Sequence, residues 1–277
     1  MKKKIGFIFV LVLVSVLMLG TVSAGLFDFL GGGNSTNQTA NDNSTFIVGF
    51  DAEFPPYGFM DKDGNYTGFD LDLAKEVCAR NNWTFKAQPI EWDAKDAELD
   101  SGSIDCIWNG FTIDGRENDY LWSNPYFDNK QVFIVKNDSG INTIDDLKGK
   151  VVETQKDSSA LAALEGDNKT IKESFKDLTQ VADYNTAFMD LESGVCDAIA
   201  MDIGVAEYDI ANKNNTTSTF KILDQYITTE KYGIGFKKGN TDLKDQVQAT
   251  LDEMFKDGTV LKIAEKYGIS QDALIQP

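Results

Sequence analysis

Two charged residues are placed to grip a small dipolar molecule. Arg116 ends the stretch Gly110-Phe111-Thr112-Ile113-Asp114-Gly115-Arg116, and Asp202 follows the apolar run over 195–201. A guanidinium presents paired donors that match the two oxygens of a carboxylate, and the Thr112 hydroxyl with backbone N–H groups can complete the shell. A carboxylate, in turn, accepts from an ammonium. Together, Arg116 and Asp202 would hold the two charged ends of a free amino acid. A lone Arg or Asp is most often a solvated surface residue; what distinguishes this pair is where each falls. The segments 99–107 (LDSGSIDCI) and 191–199 (LESGVCDAI) share their Leu, Ser-Gly, Asp and Ile positions. Each reads as a helix end, a Ser-Gly stop and an entering strand. Ligands of open α/β sheets bind beyond the carboxyl ends of strands. The candidate contacts are therefore Trp108-Asn109-Gly110-Phe111-Thr112 after the first copy and Asp202 after the second, in two lobes of similar construction.

Aromatic residues supply a second component. Phe54 lies in Asp51-Ala52-Glu53-Phe54-Pro55-Pro56-Tyr57, and Trp92 in Glu91-Trp92-Asp93. Core packing is the usual fate of aromatic side chains. Phe54, beside two prolines in a strand-exit loop, is less easily buried and suits a ligand wall. Chemistry beyond binding is restricted, because the chain of 277 residues has no histidine. That removes Ser-His-Asp and Cys-His catalysis and the commonest metal ligand. Neither a metal nor an organic cofactor is expected. The 3 cysteines are too few for a disulfide-stapled fold. Cys106 and Cys196 fall on expected strands and Cys78 on a helix, where thiols act as small apolar groups, with a Cys78–Cys106 bridge left open. With 44 acidic against 26 basic side chains and a net charge of -18, nucleic acid and anionic membrane surfaces are unsuited partners.

The elements that must position these residues follow from periodicity. Residues 46–50 read as a buried strand, Asp63-Gly64-Asn65 as a tight turn in a small hairpin, and Asp70 as the cap of a helix carrying Leu73 and Val77 on its apolar face. Further strands are expected at 104–108, 131–135, 150–154, 195–201 and 232–236. Leu243, Val247 and Leu251 mark one late helix, and Val260, Ile263, Ala264 and Tyr267 another. Strand and helix in alternation indicate parallel sheets covered by helices, an α/β architecture.

At the N-terminus, Lys2, Lys3 and Lys4 precede an apolar run over 5–19 and the small-residue stretch Gly20-Thr21-Val22-Ser23-Ala24. Residues 1–24 are thus an export signal peptide or, since the run is nearly long enough to span a bilayer, an N-terminal anchor. No cysteine follows the run, which excludes a lipid-modified cysteine there. Either way the remainder is exported, to the periplasm or the cell surface, and stays tethered to the outer face of the cytoplasmic membrane if the anchor is kept. Residues 25–45 read as a flexible Gly/Asn/Ser/Thr tether. Asn-x-Ser/Thr triplets occur there at Asn34, Asn37 and Asn43, and later at Asn65, Asn82, Asn168 and Asn215; they are glycan acceptors only in a host with that machinery.

Six stretches, in order, resemble the type II periplasmic solute-binding proteins of ABC importers, in particular the polar amino-acid-binding family 3. They are Val48-Gly49-Phe50-Asp51, Gly68-Phe69-Asp70-Leu71-Asp72-Leu73-Ala74, the segment 104–116, Asp146-Leu147-Lys148-Gly149-Lys150, Tyr232-Gly233-Ile234-Gly235-Phe236, and Asp257-Gly258-Thr259 through Lys266-Tyr267-Gly268. The resemblance implies a two-lobed α/β fold of type II, its lobes joined by two crossing segments with the ligand cleft between. Lobe one would be 46–130 with 236–277, and lobe two 131–235. By the same resemblance, Phe54 and Trp92 fall where ligand side chains are sandwiched between rings. Asn109, Gly110 and Thr112 match a loop giving backbone and hydroxyl contacts to the ligand carboxylate, Arg116 the carboxylate-binding arginine, and Asp202 the acceptor of the α-amino group. Ser158 and Ser159 match the second-lobe loop that closes onto the carboxylate. Asp51 matches a position that receives a side-chain donor in relatives binding basic amino acids or glutamine.

Two departures from the family pattern stand out. The segment 112–116 is one residue shorter than in the glutamine and basic amino-acid binders, which bears on the arginine's approach. Asp157 stands where a glycine is usual, and either disfavours acidic ligands or points to solvent. No lysine or second arginine evidently awaits a side-chain carboxylate, so a neutral polar or cationic amino acid is favoured over an acidic one. The implied function is that of a monomeric, non-enzymatic, extracytoplasmic substrate-binding protein. It would capture a free amino acid by hinged lobe closure and present it to an ABC transporter permease. One alternative is an enzyme on the same fold, dehydratase-like, with cleft carboxylates doing acid–base work. The other is a sensory receptor domain; that would need a signalling domain, whereas the chain ends at Pro277, just beyond its last expected helix, or else a separate signalling partner.

Overall fold

The computed structural model describes residues 44–213 and 219–276. The expected signal or anchor, nearly all of the tether, and the triplets at Asn34, Asn37, Asn43 and Asn215 lie outside the described residues. Among the described residues no helix is long and apolar enough to cross a membrane.

The chain begins with β1 (Thr45–Phe50), a small meander of β2 (Glu53–Phe54), β3 (Gly58–Met60) and β4 (Tyr66–Thr67), then α1 (Phe69–Asn81), β5 (Thr84–Pro89), α2 (Lys95–Ser101), β6 (Cys106–Ile107) and β7 (Leu121–Trp122). It continues through β8 (Phe127–Lys136), β9 (Val151–Gln155), α3 (Ser159–Glu165), α4 (Lys169–Lys172), β10 (Asp177–Val181), α5 (Tyr184–Ser193), β11 (Ala198–Asp202), α6 (Ile203–Lys213) and β12 (Phe220–Tyr232). Last come β13 (Gly235–Phe236), α7 (Thr241–Lys256) and α8 (Thr259–Lys266).

Two five-stranded sheets result, in the orders β5-β1-β6-β13-β7 and β10-β9-β11-β8-β12. Each is mixed rather than parallel as expected. In the first, β1 runs parallel to β5 and β6, whereas β13 is antiparallel to both β6 and β7. In the second, β9 runs parallel to β10 and β11, whereas β8 is antiparallel to β11 and β12. The reason is connectivity: β8 and β12 form a long antiparallel pair, register Phe127↔Tyr232 to Lys136↔Phe220, along which the chain enters and leaves the second sheet.

The internal sequence similarity is structural. Both copies end a helix at a left-handed glycine, Gly102 (φ 78°) and Gly194 (φ 83°). Asp105 accepts from Ile47 N at 2.7 Å and donates its own N–H to Ile47 O. Asp197 makes the same two bonds to Val151, its carboxylate at 2.9 Å. Each aspartate thus locks its strand against the neighbouring parallel strand and sets which residues reach the strand's carboxyl end.

Three expectations need correction. The strand expected at 195–201 begins only at Ala198, because Val195 and Cys196 still donate to Asp190 O in the helix cap. The strand expected at 232–236 is broken after Tyr232, where the chain passes from the second sheet to the first. Asp70 does not cap α1: Gly68 stands at that position, and the Asp70 side chain turns inward instead. The helix is held by Phe69, Leu73 and Val77, all buried at helical spacing, each such side chain contributing about 1.5–3 kcal/mol. Cys78, Cys106 and Cys196 are buried free thiols.

Candidate functional site

The carboxyl ends of β1, β6, β9 and β11 converge on one narrow cavity, lined by Phe54, Trp92, Asn109, Gly110, Thr112, Arg116, Gln155, Ser158, Ser159 and Asp202. Nine of the ten residues expected from the sequence are on this wall. The exception is Asp51, at the end of β1, which stands behind Gln155: Gln155 Nε2 donates to its Oδ2 at 2.6 Å, and Glu53 N to its Oδ1 at 2.8 Å. Burial pushes the Asp51 carboxyl up to about 6. Phe54 and Trp92 are both buried into the wall.

The loop after β6 passes through a narrow gap. Gly110 has φ +57°, and a Cβ there would lie 2.9 Å from Phe54 Cε1 and 3.1 Å from Tyr232 Cε2, so only glycine fits. Its N–H donates at 2.6 Å to Asp70 Oδ2, while Tyr126 OH donates to Asp70 Oδ1 at 2.8 Å. The expected backbone donor at Gly110 is therefore spent within the protein. Burial pushes the Asp70 carboxyl up to about 7. Asn109, buried beside Gly110, has an Oδ1 with no hydrogen-bond partner among the described residues.

Further along the loop, Arg116 is half-buried with its guanidinium carbon 5.4 Å from the Phe111 ring centroid. Nη2 donates to Asp157 O at 3.0 Å and Nη1 to Thr112 O at 3.4 Å, while Arg116 O accepts from Trp122 Nε1 at 3.0 Å. None of the ion pairs among the described residues uses Arg116. Its charge is held in position by carbonyls, with the capacity to bind a carboxylate intact.

On the opposite wall, Asp202 Oδ1 accepts from Asn129 Nδ2 at 2.8 Å, Gln131 Nε2 at 2.7 Å and Tyr232 OH at 2.6 Å. Glu230 stands beside it: its Oε1 accepts from Thr112 Oγ1 at 2.9 Å, from Asn129 Nδ2 and Gln131 Nε2 at 2.7 Å, and from Ser159 Oγ at 3.2 Å. Burial, and then the Glu230 charge, push the Asp202 carboxyl up. The Thr112 hydroxyl hydrogen is thus committed to Glu230. Ser158 caps α3, its Oγ accepting from Leu161 N at 3.1 Å, and Ser159 Oγ accepts from Gln131 Nε2 at 2.7 Å.

Asp157, expected either to repel acidic ligands or to face solvent, is half-exposed and forms an ion pair with Lys95. Lys95 is buried, with Nζ 5.2 Å from the Trp92 ring centroid. A buried cation on the first residue of α2 opposes the helix dipole, so an anionic partner is required. Sequence reasoning missed Lys95, Gln155, Asn129, Gln131, Glu230 and Tyr232. For the last four a signal existed: Asn129-x-Gln131 and Glu230-x-Tyr232 sit at the two-residue spacing that puts both members on one face of a strand.

An α/β body of two mixed sheets, with a cleft at the carboxyl ends of both and opposite charges across it, defines a two-lobed solute-binding protein of type II. Residues 46–270 match the bacterial extracellular solute-binding proteins, family 3, and the chain belongs to that family. It is 32% identical over 229 residues to the L-cystine-binding protein TcyJ of Escherichia coli (strain K12), covering 82% of this chain and 83% of that one. The structure of an ABC uptake transporter substrate-binding protein from Streptococcus pneumoniae with bound histidine is similar at TM-score 0.78 and 34% identity, covering 82% and 93% of the two chains. An ancestral arginine-binding protein bound to arginine is similar at TM-score 0.73 and 36% identity, covering 81% and 98%.

Proposed function

We propose that the protein binds one free α-amino acid in this cleft and delivers it to the permease of an ABC importer. The observation that carries the reading is the division of charge across the cavity. The Arg116 guanidinium lacks a carboxylate partner among the described residues, and the Asp202 carboxylate faces it. A zwitterionic head group satisfies both walls at once, and its charges offset the desolvation of each. Phe54 and Trp92 would flank the side chain, and Asn109, Thr112, Ser158 and Ser159 would complete the polar contacts. Relatives that bind cystine, histidine and arginine support an amino acid as the ligand. A neutral polar or cationic one is favoured, because Lys95, packed on Trp92, is already neutralised by Asp157 while Asp51, Asp202 and Glu230 are all acidic.

In this reading lobe one comprises 46–130 with 236–277, lobe two comprises 131–235, and β8 with β12 is the hinge. The protein acts as an exported monomer, at the outer face of the cytoplasmic membrane if 1–24 is retained, and does no chemistry on its ligand. A thermal-shift panel of amino acids tests the reading, since a ligand at a hundredfold its Kd stabilises the folded state by about 2.7 kcal/mol. No response from any amino acid would overturn it. Ligand recovered chemically altered after release would favour an enzyme.

A further inference from the structure

Asp202 and Glu230 form an unusual pair. Both are buried, both accept from the same two amides, Asn129 Nδ2 and Gln131 Nε2, and neither has a lysine or arginine partner among the described residues. Two carboxylates in one buried polar pocket repel each other unless a proton or a cation lies between them. A second observation points the same way. Asn129 Oδ1 and Gln131 Oε1 are buried with no hydrogen-bond partner among the described residues, so the pocket holds more acceptors than donors. An ammonium brings three donors and a positive charge, and so supplies both deficits.

The surroundings decide what else could neutralise the pair. The Tyr232 phenol donates to Asp202; the Asp202 charge also acts on the phenols of Tyr57 and Tyr184, and those of Asp70 on α1 and Glu207 on α6 act on Tyr57. Asp114 and Asp167 line the neighbouring groove with Glu230. Arg116 is the cation on the cavity wall, held at its far side by Asp157 O and Thr112 O. Burial, and then the charge of Glu230, favours the protonated form of the Asp202 carboxyl.

Resting on the amino-acid-binding reading, we propose that Asp202 and Glu230 are a single ammonium-binding unit in which Asp202 holds a proton in the free protein and releases it when the ligand's α-ammonium docks. On binding, the carboxyl O–H bond breaks, the proton leaves to solvent, and ammonium N–H groups take its place as donors to both carboxylates. Glu230 is thereby a specificity-determining residue: with two carboxylates, the unit discriminates against ligands without a cationic group and couples uptake to pH. Because the ligand binds the ionised pair, affinity rises with pH, roughly tenfold per pH unit while the proton is fully held, and levels off once it is lost.

Calorimetry of the purified protein with L-arginine and L-glutamine, in buffers of low and high ionisation enthalpy near pH 7, counts the protons. About one proton released per ligand is expected, with affinity rising between about pH 6 and about pH 8. Glu230→Gln should lower the count to near zero and flatten the pH profile. Intact binding with no proton released and no pH dependence in the wild type would overturn the proposal while leaving the amino-acid reading in place. If neither amino acid binds, the free protein still decides. The infrared carbonyl band of a protonated carboxyl near pH 7 must lose intensity in both Glu230→Gln and Asp202→Asn, and a band unaffected by either overturns the proposal. Should a variant fail to fold, the wild-type proton count decides alone.

Discussion

Arg116 is oriented by neutral carbonyls and an aromatic face, so its removal strands no charge of the protein's own. Arg116→Ala should leave thermal stability of the free protein nearly unchanged and lower amino-acid affinity by about a hundredfold or more, about 3 kcal/mol, because the ligand carboxylate would then be desolvated without a partner. Calorimetry checks both the affinity and the heat; unchanged affinity would remove Arg116 from the site. Asp51 acts at one remove, through the 2.6 Å bond from Gln155. In the cycle of Asp51→Asn, Gln155→Ala and the double variant, the changes in side-chain preference should therefore be non-additive, since residues sharing one hydrogen bond couple by about 0.5–3 kcal/mol. Additive effects would place Asp51 in direct contact with the ligand.

At the scale of elements, the site depends on one junction, where the first turn of α1 meets the loop after β6. Asp70 joins them by accepting from Gly110 N and Tyr126 OH, and its burial pushes its carboxyl up to about 7. The sign follows from proton counting. The folded state holds a proton on Asp70 that the unfolded state has lost above about pH 4. The Asp70 contribution is therefore full below about pH 4 and is lost as pH rises through about 7. Urea unfolding should show stability falling over that range, with a shallower fall in Asp70→Asn; an identical slope would mean Asp70 titrates normally. Asp70→Ala, which strands the Gly110 N–H and Tyr126 OH in a buried setting, should cost about 2–3 kcal/mol.

For the whole molecule, the contacts across the cleft decide how firmly it holds a ligand. Lys95 reaches from α2 to Asp157 before α3, and Arg116 donates to the carbonyl of the same residue. The carboxylate of Asp157 is half-exposed, which screens the pair. Lys95→Met would keep the packing on Trp92 and remove the charge. Its dissociation rate should rise roughly fivefold, about 1 kcal/mol, with little change in association rate, as interface changes mostly act on release. Stopped-flow kinetics with the ligand found in the panel measures both rates; an unchanged dissociation rate would mean the pair plays no part in closure.

Much of this arrangement was legible in the chain itself. The duplicated Leu-x-Ser-Gly-x-x-Asp-x-Ile segments place two strand ends, because helix stops and strand starts are local chemistry. Asn109, Gly110, Thr112 and Arg116 after the first and Asp202 after the second line the cavity, together with Phe54 and Trp92 from earlier loops. What the sequence could not reveal depends on pairings between residues far apart in the chain. Glu230 meets Thr112, 118 residues away, Lys95 meets Asp157, 62 away, and Gln155 displaces Asp51 from the wall across 104. Local patterning determines which side chains leave a sheet at its carboxyl end. Only the tertiary fold decides which hydrogens are already committed, which charges are already neutralised, and so which groups the cleft still offers to a ligand.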